Sequence, residues 1–221
     1  ISSIYVVFAK TDPAAGGRGI TGFLVDGGTP GLSAGAKERK MGFRLSDTSE
    51  VVLDNVRVPA SAVIGEEGRG MTIALNALNL SRAFISTLAV GIMQRALDEA
   101  VAYAKQRRQF DTRLIDMPMV QTMLADMAIK TECARVVVNH CMRRMDAGEM
   151  VRKEGAIVKT FVTDAMQEVV SNAVQVFGGY GYSKEYPVEK LMRDAKIFQI
   201  FEGSNQIQRM TIARELDREY R

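Results

Sequence analysis

Two periodicities divide the chain. Up to about residue 64 the apolar residues come in short runs, IYVVFAK, ITGFLVD and EVVLDNVRV. ITGFLVD alternates apolar with polar, as a half-buried strand does. Turn chemistry separates the runs in DPAAGGRG, in DGGTPG and at Asp54-Asn55. Pro59 and GEEGRG (65–70) mark a boundary, and from about residue 70 the period lengthens. Leu88, Ile92, Ala96, Ala100 and Tyr103 recur at spacings of four and three. So do Val120, Leu124, Met127, Thr131, Ala134, Val138, Cys141 and Met145, a repeat that suits a helix packed lengthwise on its neighbours. A third stripe, Val158, Val162, Ala165, Val169, Ala173 and Val176, stops at Gly178-Gly179, a natural C-cap. Pro187 suits the first turn of a helix over PVEKLMRDAKIFQI, and a last helix follows Ser204. The pattern predicts a mainly α fold, an antiparallel four-helix-type bundle (65–221) preceded by a partial antiparallel β-domain (1–64). A sheet that small buries little and leaves raw edges, so it is expected to be the end of a larger one.

Composition narrows the chemistry. The chain has 221 residues, 47% hydrophobic and 25% charged, with a net charge of +3 carried by scattered Lys and Arg. That is a globular balance with no basic patch for nucleic acid. No uninterrupted apolar run reaches the roughly 18 residues of a membrane span, so no membrane partner is expected. Cys133 and Cys141 lack metal-ligand or disulfide-framework spacing, which suggests a reduced compartment, bacterial cytoplasm or mitochondrial matrix. His140 is the only histidine and lies in a helical pattern. A Ser-His-Asp triad would depend on it, which disfavours hydrolase chemistry, and no metal site is expected. The 13 methionines sit mostly in the helical stripes, where core packing explains them.

Three stretches invite a chemical reading. The glycines of GGRGITG and GGYGY lack the strand-then-helix context of a dinucleotide or phosphate loop, and turns and caps explain them. KQRRQF (105–110) ends a long helix, where its cations complement the helix dipole; Arg107 or Arg108 could instead reach a pyrophosphate. In KIFQIFEGSNQIQRM, an apolar run ends on Glu202 and is pinned by Gly203. Shelter from Phe198, Ile200 and Phe201 would desolvate that carboxylate and raise its pKa, which suits proton abstraction from a carbon acid. Gly203 allows close approach of a ligand, and Ser204 can open the next helix.

Beyond these local readings, the sequence resembles the C-terminal part of the flavin-dependent acyl-CoA dehydrogenases along essentially its whole length. The blocks that carry the resemblance are MGFRLSDTSEVVLDNVRVP, AVGIMQRALDEAVAYAKQRRQF, MVQTMLADM and AVQVFGGYGYSKEYPVEKLMRDAKIFQIFEGSNQIQRMTIAREL. The resemblance implies an FAD-dependent oxidoreductase of fatty acid β-oxidation type. Such an enzyme converts an acyl-CoA thioester to a trans-2-enoyl-CoA and passes electrons to an electron-transferring flavoprotein. FAD would lie at the interface of a homodimer, and two dimers would form a homotetramer.

Carried over residue by residue, Glu202 matches the catalytic base, its backbone N–H directed at the thioester carbonyl. Some family members place their base in a pattern like L(D/N)LER; here that segment reads LNLSR, with Ser81 in the rival position. Ser204 and Gln206 match contacts to the adenine half of FAD, whereas Arg107, Gln109, Phe110, Gln175 and Gly179 match contacts to the FAD of the neighbouring subunit. Asn79 and Arg82 match positions that hold the CoA portion; Tyr180, Phe201, Gly203 and Arg214 match the substrate path. Two departures stand out: the family's QFG reads Gln109-Phe110-Asp111, and Pro118 stands where a glutamine near the adenine is usual. Segments forming the first-subunit half of the FAD site are expected upstream of Ile1, which leaves the activity of this portion open. A related flavin acyl-CoA oxidase or reductase, and a catalytically idle oligomerisation fragment, remain the alternatives.

Overall fold

The computed structural model describes residues 2–221. They fold as two compact bodies. One comprises the residues up to Lys40 together with Arg44–Leu78, the other Met41–Phe43 and Asn79–Arg221.

In the first body, β1 (Ile4–Lys10) and β2 (Ile20–Asp26) pair antiparallel, from Ile4 opposite Asp26 to Lys10 opposite Ile20. The turn between them holds a 3-10 segment over Pro13–Gly19. A short sheet of β3 (Leu32–Lys37) and β4 (Ser49–Leu53) follows, with a register shift between Ala34 and Lys37. β5 (Val63–Ile64) closes the other edge of β2, giving the order β1-β2-β5. β2 therefore carries the buried Thr21 and Val25, whereas Ile4, Val6 and Phe8 of β1 stay exposed. Two expectations are adjusted. LSAGAK, unmarked by alternation, is a strand because β4 pairs with it. EVVLDNVRV is strand only to Leu53, because Asn55 takes a left-handed φ of 50° and ends the extended backbone.

Helix α1 (Gly70–Gln106) starts in the first body and belongs to the second from Asn79 onward. A tight hairpin of β6 (Arg108–Gln109) and β7 (Thr112–Arg113) leads to α2 (Pro118–Asp146), α3 (Arg152–Phe177), α4 (Val188–Ala195) and α5 (Asn205–Glu219). α2 and α3 pack along each other, and α3 also packs against α4 and α5. The α3 stripe is buried as expected, and so is that of α2 from Leu124 to Cys141. On α1 the expected face needs correcting. Leu88 is 54% exposed, and the buried seam runs through Ala89, Met93, Ala96, Ala100 and Ala104. A seam of small residues lets helix backbones approach closely, and apolar spacing alone does not separate a buried alanine from an outward leucine.

α1 adds one feature that uninterrupted apolar runs do not reveal. One 18-residue window averages a hydropathy of 1.4, long and apolar enough for a membrane span by length and composition. Its polar residues interrupt the run without cancelling the mean. Ala83, Ala89, Val90 and Met93 of this helix are nonetheless part of the helical core.

Both departures from the family pattern have local explanations. Phe110 and Asp111 adopt φ of 51° and 58°, the left-handed pair of a two-residue hairpin turn. Aspartate tolerates that conformation better than most residues, so it stands where glycine is usual. Pro118 is the first residue of α2, where its missing N–H costs nothing. Residues 41–43 join the helical body through α4: Phe43 N–H donates to Asp194 Oδ1 at 2.6 Å and Arg193 Nη1 to Met41 O at 2.9 Å. The Phe43 ring meets Phe198 edge-on, 5.6 Å between centroids.

Candidate active site

The segment between α4 and α5 forms the candidate site. α4 tightens into a 3-10 turn over Lys196–Gln199, which drops Phe198 fully into the core. Glu202 and Gly203 then take consecutive left-handed conformations, φ 56° and 83°. Glycine does this freely, but a glutamate there carries about 1 kcal/mol of strain or more. A Cβ on residue 203 would lie 2.5 Å from Gln208 Nε2 and displace that bracing amide, on a backbone whose φ of 83° already favours glycine. Ser204 caps α5, its hydroxyl accepting from Ile207 N–H at 3.4 Å.

Side chains from α3 and α5 brace this bend. Gln208 Nε2 donates to the carbonyls of Glu202 and Gly203 at 3.1 and 3.0 Å. Lys159 Nζ, fully buried, donates to Gly203 O at 2.9 Å and to Asn205 Oδ1 at 2.7 Å. Asn205 Nδ2 in turn donates to Thr163 Oγ1 at 2.9 Å and Asp164 Oδ1 at 2.7 Å. Arg209 Nη2 reaches Asp164 Oδ2 at 2.6 Å. The Glu202 carboxylate accepts from Ser81 Oγ at 2.6 Å, a short, charge-assisted bond. The residue that replaces the rival glutamate thus touches the carboxylate it would have duplicated.

Charge follows packing here. Burial pulls the Lys159 ammonium down to about 8, with Arg82 adding to the shift and Asp164 and Glu202 opposing it. Burial also lowers Arg82, helped by Arg152 and opposed by Glu202. Burial alone would raise the Asp164 carboxyl, but hydrogen bonds from Arg209, Gln199 and Asn205 outweigh it and hold it below its ordinary value.

The expected shelter of Glu202 is only partly present. Phe198 and the half-buried Phe201 pack edge-on at 5.0 Å, but Ile200 is 55% exposed, because the chain turns outward there before the bend. Arg82 is nearly buried and donates from Nη1 to Asn79 Oδ1 at 2.9 Å.

A second feature gathers much of the expected cofactor set. Arg107, Gln109, Gln175 and Gly179 line a groove of about 640 Å3 with an apolar floor that includes Val120 and Met123, and Tyr180, expected on the substrate path, lines it too. Arg107 lies 5.6 Å from the Tyr180 ring centre, and Tyr103 stacks on Phe177 at 4.0 Å. Ser204 and Gln206 are elsewhere, at the start of α5. Phe110 projects from the hairpin turn, 92% exposed, and Arg214 is exposed on α5. Among the described residues no group of three or more His, Cys, Asp or Glu could hold a metal.

Sequence reasoning missed Lys159, Thr163, Asn205 and Gln208. A signal existed: Lys159 and Thr163 fall four apart within the apolar face of α3, where polar residues need partners.

Long bundle helices follow small antiparallel sheets in a mainly helical chain that carries a glutamate on a braced bend. Residues 68–216 match the family model "Acyl-CoA dehydrogenase, C-terminal domain". An acyl-CoA dehydrogenase of Bacillus subtilis is 45% identical over 97% of this chain and 57% of its own length. The structure of butyryl-CoA dehydrogenase from Megasphaera elsdenii superposes with a TM-score of 0.95 at 44% identity, over 97% of this chain and 56% of that one. PigA, solved with FAD and proline, gives 0.93 at 29% identity over 98% and 57%. The chain belongs to the acyl-CoA dehydrogenase family. It spans a little over half the length of the relatives it matches.

Proposed function

We propose that the protein carrying this chain dehydrogenates an acyl-CoA thioester between its α and β carbons, with Glu202 as the base. The observation that carries this reading is the carboxylate itself, held on a strained bend, bonded to Ser81 and braced through both following carbonyls. A preorganised base loses little reorganisation energy when it takes a proton. The α-hydrogen leaves as a proton to Glu202. The β-hydrogen leaves with its electron pair, a Cα=Cβ bond forms, and the product is a trans-2-enoyl-CoA. Glu202's backbone N–H donates to the thioester carbonyl and so acidifies the α C–H. Asn79 and Arg82 face the CoA portion; Tyr180, Phe201, Gly203 and Arg214 line the rest of the substrate's path.

The groove residues fit FAD. Arg107 supplies a cation and Gln109 and Gln175 supply amides for a pyrophosphate, over an apolar floor suited to a ring system. Phe110 on the adjoining hairpin joins the groove residues toward the FAD of a neighbouring subunit, and Ser204 and Gln206 at the α5 start face the adenine half of FAD. When bound, FAD supplies the acceptor for the β-hydride. An electron-transferring flavoprotein takes the electrons onward. Self-association into a dimer or tetramer is supported by the outward apolar residues Ile129, Val136, Ile157 and Phe161 of α2 and α3.

The test is flavin bleaching of the full-length protein mixed anaerobically with a panel of saturated acyl-CoAs. Glu202→Gln is expected to slow reduction at least about a hundredfold. An unchanged rate in that variant would remove Glu202 from its role.

A further inference from the structure

We propose that Lys159 is a positioning residue for Glu202: its ammonium clamps the Gly203 carbonyl and Asn205 and so sets the angle at which the base enters the site. The proposal rests on the reading of Glu202 as base.

A fully buried lysine in the middle of a core helix is unusual. On stability grounds alone an apolar side chain of similar length serves as well or better. Lys159 projects from the same α3 face as Val158 and Val162, and its bonds run to the two residues bracketing Ser204, not to a carboxylate. That choice of partners is what a bend needs. Two consecutive left-handed residues persist only where the surroundings over-determine them. Gln208 holds the Glu202 and Gly203 carbonyls from the α5 side; Lys159 holds Gly203 from the α3 side. The peptide planes on both sides of Gly203 are therefore fixed from two helices. Without Lys159, Gly203, the most permissive residue in the bend, keeps only the contact from its own following helix. Asn205 links Lys159 to Thr163 and Asp164, and Arg209 bonds Asp164 directly, so the clamp is tied to α3 at Lys159, Thr163 and Asp164.

Lys159→Met removes charge and donors at similar length; Lys159→Gln retains one donor on a shorter arm and guards against a methionine variant that does not fold. In the full-length protein, amide hydrogen exchange over residues 200–206 is expected to speed up about tenfold or more in Lys159→Met and less in Lys159→Gln, with exchange in α2 unchanged. Flavin reduction is expected to slow about 10- to 100-fold while acyl-CoA affinity stays within about twofold, as for a displaced base. Wild-type loop exchange and wild-type reduction rates in a folded variant would overturn the proposal. So would exchange that rises equally in α2 and the loop, which marks Lys159 as a packing residue only. Loop exchange is read without turnover. A wild-type protein that reduces no flavin with any acyl-CoA therefore defeats the function reading, while loop exchange still decides whether Lys159 clamps the bend.

Discussion

Lys159 also makes the stability of the fold depend on alkaline pH, in a direction opposite to that of Tyr103 and Cys141. Its folded-state value is about 8 against an ordinary 10.5, because burial penalises the ammonium. The unfolded chain therefore holds a proton between these values that the folded chain has lost. Stability rises with pH wherever the unfolded state binds more protons, so the burial cost is fully present below pH 8 and gone above about 10.5. The gap of roughly 2.5 units corresponds to about 3 kcal/mol. Tyr103 and Cys141 are both raised, chiefly by burial, and lose stability as pH climbs. A raw pH profile mixes these contributions. The clean quantity is the difference between wild type and Lys159→Met, in which they cancel. Urea unfolding at pH 7, 8, 9, 10 and 10.5 should show the wild-type stability gaining on the variant by up to about 3 kcal/mol across the window. A flat difference, or one that shrinks as pH rises, would refute the picture of a desolvated ammonium at this site.

Other outcomes follow from the same geometry. Glu202→Gly should abolish flavin reduction yet leave the protein as stable or about 1 kcal/mol more stable in urea, because glycine relieves the left-handed strain at φ 56°. Phe198→Ala should cost about 3–5 kcal/mol by the same assay, since its fully buried ring packs edge-on against Phe43 and Phe201. Arg107→Ala should lower the flavin content of the purified full-length protein while leaving its melting temperature in the flavin-free form unchanged, because the guanidinium lines the groove without holding the core.

Much of the architecture was legible because helical burial is a local, periodic property. The α3 stripe and its Gly178 stop are written in residue spacing and in a glycine whose φ is 60°. The position of Glu202 was legible too, at the end of an apolar run followed by Gly203 and a helix cap. The limits are equally specific. Spacing put Leu88 on the buried face of α1, where the packed helices chose Ala89. An apolar flank suggested that Ile200 shelters the carboxylate, but the bend points it outward.

The sequence by itself determined the β-then-α order, the helices and the Gly178 stop of α3, and the glutamate with its glycine, since each depends on neighbours a few residues away. Only the tertiary structure decided what holds that glutamate. Ser81 reaches it across 121 positions of chain and Lys159 reaches its loop across 44. No periodic pattern encodes contacts at such separations; they exist because the packing of the helical body brings α1, α3 and the α4–α5 bend to one place.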